Sequence, residues 1–259
     1  MSDLGLKSRL SPWLAVLRQV VATSPRRWAE LPAEVWRYAE SWRSFRRMHA
    51  DAEPRRDRET RLHPALFDRS AIGFDAHYTF QGAWAARRIV RLAPARHVDV
   101  SSDVRFVAQL ASHVPVLYVE YRPVRMGVEG LETRQGDVTS LPFPDRSIAS
   151  LSCLHVVEHV GLGRYGDPLD PQGHVKACRE LQRTLADGGT LLLSLPVGRP
   201  ALLFNSHRIL DPTEVPALVP ELRMVEFSIV TTAGLFLESV DPAAFRDESY
   251  ACGLYRMVR

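Results

Sequence analysis

Apolar and polar positions alternate in blocks along this chain, and the blocks predict a series of strands and helices. Short apolar runs bounded by turn residues predict buried strands at His97–Ser101, Val114–Tyr121, Leu131–Arg134, Ser147–Leu154, Thr190–Leu195, Met224–Val230 and Tyr250–Val258. Apolar residues at helical spacing predict helices at Phe74–Leu92 (with Trp84, Ile89 and Leu92 facing inward), Val104–Leu110 and Val175–Leu185. Strands that alternate with helices form βαβ units, so we predict an α/β domain with a mostly parallel sheet and an antiparallel pair of strands at one edge.

The first 62 residues have a different pattern and are predicted to form an N-terminal arm, with the α/β domain at 63–259. Amphipathic helices are predicted at Pro12–Val21 and Glu34–Met48, and a charged linker at Ala50–Arg61. Residues 1–63 hold 13 Lys or Arg and 8 Asp or Glu, a net charge of +5, so the rest of the +3 chain carries −2. The arm is predicted either to lie on a membrane surface or to dock on the main domain or a second subunit.

Composition narrows the class of protein further. The chain is 46% hydrophobic, yet no apolar run approaches the roughly 20 residues of a membrane span, and its first residues lack the pattern of a secretory signal. Its three cysteines lack metal-type spacing, which predicts buried free thiols in a reducing compartment and therefore a cytoplasmic protein. A domain with a net charge of −2 is not expected to bind nucleic acid.

The polar stretch Ser152–Ala177 follows a buried strand and is the predicted site of chemistry, because open α/β sheets bind ligands beyond the carboxyl ends of their strands. A second polar cluster follows the fifth strand at the same edge. The candidate catalytic and acceptor-binding residues are His155, Glu158, His159, Arg164, Tyr165, Asp167, Asn205, His207 and Arg208. A purely structural role is left open for three residues, because Arg164 would pair with Asp167 and Asp170 would cap the next helix.

Three acids follow consecutive strands, where a nucleoside-like ligand would need them. Asp99 ends the first strand, Glu120 ends the second and is placed for ribose hydroxyls, and Asp137 follows the third and is placed for an adenine amine. Each acid would alternatively cap a helix. The same two interpretations, ligand contact or helix cap, apply to the group Asp75, His77 and Tyr78 at the start of the first helix of the α/β domain.

These motifs resemble those of the class I S-adenosylmethionine-dependent methyltransferases over roughly Ala95–Leu195. The matching segments are VDVS, the acid Glu120, the turn GDV, LPFPDRSIASLSC, LHVVEHV and ELQRTLADGGTLLLSLP. The segments HYTFQGAWAARRI, HVDVSSDVRFVA, SCLHVVEHVGLGRYGDPLDPQGHVKA and FNSHRIL are similar to the uncharacterised methyltransferase-like family called domain of unknown function 268.

The resemblance implies a Rossmann-like methyltransferase sheet and S-adenosylmethionine as cofactor. The cofactor-binding residues that it implies are Asp99, Ser101, Ser102, Glu120, Tyr121, Asp137, Val138 and Leu154. The chain departs from the family pattern after the first strand, where Ser101 and Ser102 stand in a turn that has no glycine. Glycines in this turn let the backbone approach the cofactor closely, so the small serines are predicted to form a looser version of it.

Two other classes fit the motifs less well. The segment His155–His159 matches H-x-x-E-H, the inverted zinc-peptidase motif, but Gly161 and Gly163 would stop the helix that this motif requires, so no metal is predicted. A dinucleotide-dependent dehydrogenase would lack its glycine-rich pyrophosphate cradle.

The predicted reaction is in-line transfer of a methyl group from the sulfonium to an oxygen or nitrogen of an unidentified polar acceptor, such as a sugar or glycan precursor. His159 or His155 is the candidate general base, and Glu158 would orient a histidine. Arg164, His207 and Arg208 would hold an acidic or phosphorylated acceptor. The alternative is a catalytically inactive binding or scaffolding protein that keeps the methyltransferase fold.

Overall fold

The computed structural model describes residues 25–50, 74–123 and 126–259. The chain divides into two units, Met1–Gly73 and Phe74–Arg259, and each is described by itself. The predicted helix Pro12–Val21 and most of the linker Ala50–Arg61 lie outside the described residues. The predicted domain boundary near residue 62 falls there as well and stays a prediction.

Helix α1 (Pro25–Ala50) is the described part of the first unit. It contains the predicted helix Glu34–Met48 but begins nine residues earlier and continues through Pro32. The helix is therefore confirmed, but its predicted start at Glu34 is wrong. The contact that the arm makes stays a prediction. None of the helices in the described ranges is both long and apolar enough to cross a membrane.

The second unit is built on an eight-stranded sheet with the order β3-β2-β1-β4-β5-β10-β8-β9. Strands β1 to β5 are parallel, whereas β10 pairs antiparallel with both β5 and β8. Their bounds are β1 His97–Val100, β2 Val116–Glu120, β3 Leu131–Gln135, β4 Ile148–Leu154, β5 Leu185–Val197, β8 Arg223–Val230, β9 Phe236–Leu237 and β10 Ala251–Val258. The predicted α/β fold with an antiparallel edge is therefore confirmed.

The remaining elements lie between these strands. Helix α2 (Ala76–Leu92) precedes β1, α3 (Val104–Leu110) follows it, and α4 (Gly173–Thr184) precedes β5. A separate two-stranded sheet joins β6 and β7, and the described part of this unit also contains three single 3₁₀ turns. Their bounds are β6 Ala201–Leu203 and β7 His207–Ile209, with the turns Val157–His159, Val215–Leu218 and Pro242–Phe245.

Two apolar clusters cover the two faces of the sheet. On one face, Trp84 and Ile89 of α2 and Leu110 of α3 pack against the strands. On the other, Cys178 and Leu181 of α4 do the same. This three-layer arrangement explains why the central strands are apolar on both faces. All three cysteines are buried and free, as predicted.

Three local predictions were wrong in detail. Leu92 was expected to face inward but is 39% exposed, because α2 ends there and Ala93 turns into the left-handed region. Leu185 was assigned to the face of α4, but it begins β5 and is buried there. Strand β5 also starts before the predicted Thr190. Its pairing register with β4 shifts between Ile148 and Ser150, and Gly188 adopts a positive φ in this part of β5.

Candidate active site

A cavity of about 340 Å³ opens where β1, β2 and β4 end at their carboxyl edge. Parallel strands bring their following loops together at this edge, which is why residues distant in sequence meet here. All the residues predicted to bind cofactor line the cavity except Asp99. The lining residues are Tyr78, Ser101, Ser102, Asp103, Glu120, Tyr121, Arg122, Asp137, Val138, Leu154, His155, Val156, His159, Val160, Tyr165 and Asp167.

Asp99 lies beneath the cavity, is completely buried and holds the turn that follows β1. Its carboxylate accepts hydrogen bonds from the backbone N–H of Ser102 at 3.0 Å and from the Ser102 hydroxyl at 2.7 Å. The hydroxyl of Ser152 on β4 donates to the same carboxylate. The expectation that Asp99 touches the ligand directly is therefore wrong, because its carboxylate is used inside the protein.

The turn keeps a left-handed residue although it has no glycine. Ser101 has φ 57°, a region that costs a non-glycine residue about 1–2 kcal/mol. Its backbone N–H donates to the carbonyl of Val119 at 2.9 Å, and its hydroxyl lies 3.3 Å from the same oxygen. These contacts with β2 fix the conformation that glycine would adopt freely.

A chain of buried hydrogen bonds continues from this turn in both directions. Toward the cavity, the Tyr118 hydroxyl lies 3.0 Å from the Ser102 carbonyl and 3.1 Å from the Glu120 carboxylate. Toward the core, His97 lies 2.8 Å from the hydroxyls of both Ser150 and Ser152. Burial lowers the pKa of His97 to about 3 and, against its hydrogen bonds, raises the pKa of Asp99 to about 6.

The acids Glu120 and Asp137 both line the cavity. Glu120 is the last residue of β2, and one of its oxygens accepts the backbone N–H of Arg122 at 3.2 Å. Asp137 accepts the backbone N–H and the hydroxyl of Thr139 at 2.8 and 2.7 Å, both at Oδ1. Among the described residues no hydrogen bond ends on Oδ2 of Asp137, so this oxygen can accept one from a ligand.

The polar loop after β4 is held in shape by two predicted site residues, Asp167 within the loop and Arg208 on β7. Asp167 accepts backbone N–H bonds from Gly161 at 2.7 Å and Tyr165 at 3.2 Å, and these bonds lower its pKa against the opposing effect of burial. The buried Arg208 donates to the carbonyls of Glu158 and Val160 at 3.2 and 2.8 Å. With its guanidinium turned to backbone carbonyls, Arg208 is not placed to hold an acceptor, contrary to the prediction.

Glu158 contacts both histidines of the loop. It is buried, and its Oε1 lies 2.9 Å from His155 Nδ1 and 3.5 Å from His159 Nε2. His159 Nδ1 lies 2.6 Å from the carbonyl of Ser206, which can only accept, so this nitrogen carries a proton. The helix that an H-x-x-E-H zinc motif requires is absent here, as expected from Gly161 and Gly163, because the segment forms only the single 3₁₀ turn Val157–His159.

The rings around these histidines form a continuous cluster at the wall of the cavity. Tyr78 stacks on His155 at 5.4 Å between ring centroids, and His77 stacks on Tyr250 at 5.0 Å. Tyr250 also contacts His207 at 5.1 Å. Burial and the neighbouring His155 lower the pKa of His77 to about 4, whereas burial and the Glu158 carboxylate raise the pKa of Tyr78 to about 12.

The other predicted residues lie around the mouth of the cavity or outside it. Arg164 does not pair with Asp167, since its guanidinium donates to the carbonyl of Ser206 at 3.3 Å and lies over the Tyr165 ring. Asn205 is exposed and does not line the cavity. His207 Nδ1 lies 2.8 Å from the Ser206 hydroxyl, and the His207 ring contacts the His159 ring. Ser206 thus joins the second polar cluster to the first.

The sequence analysis did not predict four of the lining residues, Asp103, Arg122, Val156 and Val160, and it left alternatives open for others. Asp103 and Arg122 were not predicted, although each directly follows a predicted cofactor-binding residue. Asp75 is the N-cap of α2 and accepts the Tyr78 N–H at 3.1 Å, so the capping interpretation holds for it, whereas Tyr78 itself lines the cavity. Asp170 accepts the backbone N–H of Gln172 at 2.9 Å and the Lys176 ammonium at 2.6 Å, but Gln172 is the N-cap of α4 and no side chain caps that helix, so Asp170 is not the predicted cap.

The sheet order, the three layers and the cavity at the strand ends define the class I methyltransferase fold. The [4+2]-cyclase SpnF has this fold, with a TM-score of 0.50 at 15% identity over 68% of this chain and 79% of its own. A provisionally named sarcosine dimethylglycine methyltransferase from Galdieria sulphuraria gives a TM-score of 0.50 at 13% identity over 69% of this chain and 85% of its own. Identities this low show a common fold and not a common reaction.

Within this fold class, the central loop carries a more specific similarity. Residues 146–235 match the family described as Caenorhabditis protein of unknown function, DUF268. The resemblance predicted from the sequence is therefore confirmed over that segment, which spans β4, the polar loop, α4, β5 and β8. No curated protein matches this chain.

Proposed function

We propose that this chain is an S-adenosylmethionine-dependent methyltransferase that acts on a small polar acceptor. The observation that carries the proposal is the cavity at the ends of β1, β2 and β4, in which the Ser101 turn, Glu120 and Asp137 come together. In this arrangement Glu120 would accept hydrogen bonds from the ribose hydroxyls, and Oδ2 of Asp137 would accept one from the adenine amine. When bound, the cofactor supplies a methyl group on an electrophilic sulfonium.

His159 is the better candidate for the general base of the two predicted histidines. Both ring nitrogens of His155 have buried partners, since Nδ1 faces Glu158 at 2.9 Å and Nε2 faces Cys252 at 3.2 Å. His159 donates through Nδ1 to the Ser206 carbonyl, so in its neutral form Nε2 carries the lone pair. The Glu158 carboxylate at 3.5 Å would stabilise the imidazolium that forms when Nε2 takes a proton.

The acceptor would be held at the mouth of the cavity, where two arginines lie over one tyrosine. The guanidinium carbons of Arg122 and Arg164 are 5.6 and 5.1 Å from the centroid of the Tyr165 ring, which is 43% exposed. Two cations beside an aromatic surface suit an acidic or phosphorylated sugar, which offers oxygens to the arginines and a ring face to the tyrosine. A sugar or glycan precursor is therefore our candidate acceptor class.

The alternative is a binding or scaffolding protein that keeps the fold without catalysis. The glycine-free turn favours it, because a side chain at Ser101 occupies space next to the cavity wall. Calorimetric titration of the protein with S-adenosylmethionine and S-adenosylhomocysteine separates the two functions. We expect wild type to bind both and the variants Glu120→Ala and Asp137→Ala to bind at least about tenfold more weakly, the equivalent of one lost charge-assisted hydrogen bond.

Asp187→Ala is the matched control, because Asp187 is an exposed acid whose hydrogen bonds go to Arg146 alone among the described residues. It should bind both compounds like wild type. If the folded wild-type protein binds neither compound, the methyltransferase proposal is wrong and the scaffolding alternative is supported. Equal binding by wild type and both cavity variants would place the cofactor elsewhere on the molecule.

A further inference from the structure

Three side chains with metal-ligating atoms meet beside the cavity, although they come from distant parts of the chain. His77 lies in the first turn of α2, His155 follows β4, and Cys252 lies on β10. One nitrogen of each histidine and the sulfur of the cysteine all lie within 4.8 Å of one another. His155 Nε2 is 3.2 Å from Cys252 Sγ. Zinc bonds of about 2.0–2.1 Å to nitrogen and about 2.3 Å to sulfur reach ligand atoms less than about 4.4 Å apart. The pair His155 and Cys252 therefore already fits, and any longer separation to His77 must shorten for a single ion to contact all three atoms.

Packing alone does not account for this group. Cys252 is completely buried and His155 is 8% exposed, so their polar atoms have left water. Apart from His155, the polar neighbours of the sulfur are the Gln81 side chain and the Gly253 carbonyl at 3.9 and 4.0 Å, which is the long limit for a sulfur hydrogen bond. Apolar side chains would fill the same volume without the cost of burying polar groups.

His155 is oriented as a metal-binding histidine usually is. Its Nδ1 faces the buried Glu158 carboxylate at 2.9 Å, so Nδ1 carries the proton and the lone pair of Nε2 points toward Cys252. A carboxylate behind a ligating histidine fixes its tautomer and raises its basicity. The second oxygen of Glu158 is buried and has no hydrogen-bond partner among the described residues.

The backbone also holds His155 in an uncommon conformation. Its φ is 55°, and its N–H donates to the carbonyl of Ser194 at 2.9 Å. A left-handed histidine costs about 1–2 kcal/mol, and such residues concentrate at functional sites. The strain is compatible with a ring that must reach Cys252 on β10 from the end of β4, although β5 lies between the two strands.

We propose that His77, His155 and Cys252 bind one divalent ion of the zinc class. Two imidazole nitrogens and one thiolate match the ligands that zinc selects, and three protein ligands leave its fourth tetrahedral position for water or an oxygen from the cavity that His155 lines. The ion would tie α2 to the loop after β4 and to β10. The proposal holds whether or not the chain transfers methyl groups.

A nucleophilic cysteine is the competing interpretation, because Cys252, His155 and Glu158 stand in the order of a thiol, a base and an orienting acid. However, Cys252 has no exposed surface and pairs with β5 and β8 on its two sides. A carbon centre of a substrate cannot reach such a sulfur, whereas a single ion can. That interpretation also gives His77 no role.

The test is titration of the full chain, free of any histidine tag and stripped with a chelator, with Co²⁺ and then Zn²⁺. We expect one equivalent of Co²⁺ to produce the near-ultraviolet charge-transfer absorption of a cobalt–thiolate bond, and Zn²⁺ to remove it by displacement. Cys252→Ser should lose this absorption. His77→Asn should bind Zn²⁺ more than about a hundredfold less tightly, and Glu158→Gln about ten- to a hundredfold less tightly.

Matched controls are Cys178→Ser, a buried thiol in α4, and His113→Asn, an exposed histidine. Both should keep the absorption and the affinity. His77 is only partly buried, so His77→Asn folds even where Cys252→Ser does not, and thermal unfolding checks each variant. Failure of folded wild type to bind one equivalent, or binding that survives His77→Asn unchanged, would overturn the site.

Discussion

The hydroxyl of Ser102 donates a hydrogen bond of 2.7 Å to the carboxylate of Asp99, and both residues are buried, Ser102 in the cavity wall and Asp99 beneath it. The same hydroxyl accepts the backbone N–H of Leu154 at 3.0 Å, so it links the end of β1 to the end of β4. A glycine-rich turn reaches this conformation because glycine is conformationally free, whereas this turn is held in it by side-chain hydrogen bonds. The rigidity of the cavity floor therefore depends on these polar groups, and the effect of removing one of them on the free energy of unfolding can be measured.

Ser102→Ala should lower the free energy of unfolding by about 2–3 kcal/mol, because it leaves the Leu154 N–H and one bond of Asp99 without a partner in the core. Urea denaturation measures this change. The control is Ser112→Ala, an exposed hydroxyl bonded to the Gln109 carbonyl, which should change stability by less than about 0.5 kcal/mol. Equal effects of the two substitutions would contradict the linking role of Ser102.

The same regions show what the sequence can and cannot predict. The sequence placed Glu120 at the end of the second predicted strand and Asp137 in the turn after the third, and both line the cavity because the carboxyl ends of parallel strands meet at one edge. The sequence did not show that Asp99 points inward, since a single residue of register decides which way a strand side chain faces. Nor did it show that Arg208 turns toward backbone carbonyls or that Cys252 meets His155 across 97 positions, because both depend on three-dimensional packing.

His97 should make the protein less stable as the solution is acidified. Burial lowers its pKa to about 3 from an ordinary 6.5, so between these values the unfolded chain binds more protons than the folded one. The stabilisation is complete above pH 6.5 and is lost as the pH falls toward 3, at up to about 1.4 kcal/mol per pH unit. Asp99, with a pKa raised to about 6, acts in the opposite direction between pH 3.8 and 6.

His97→Gln isolates this contribution, because Asp99 titrates in both proteins and its effect cancels in the difference. Urea denaturation between pH 4 and 6 should give a stability advantage of wild type over His97→Gln that shrinks with each unit of acidification. His113→Gln, at an exposed position, serves as control and should run parallel to wild type. A difference that is independent of pH would show that His97 is not kept neutral by burial.

Arg208 should stabilise the polar loop and not bind the acceptor. Arg208→Lys removes the planar group that reaches the carbonyls of Glu158, Val160 and Pro171, and should cost about 1–3 kcal/mol of stability. Hydrogen exchange should then quicken at the amides of 161–173. Arg199→Lys, at an exposed position, should change neither quantity. Unchanged hydrogen exchange together with a higher KM for the acceptor in Arg208→Lys would show instead that Arg208 binds the acceptor.

His159→Asn should separate the general base from the cofactor site. The shorter amide can still donate to the Ser206 carbonyl, which His159 Nδ1 contacts at 2.6 Å, but it has no group that can take a proton in place of Nε2. With an acceptor that wild type methylates through a hydroxyl, kcat should fall by about 10²–10⁴-fold while calorimetric affinity for S-adenosylmethionine is retained. His113→Asn should leave both values unchanged. A retained kcat in His159→Asn would mean that positioning alone drives the transfer, because methyl transfer to a neutral or already ionised acceptor needs no base in the protein.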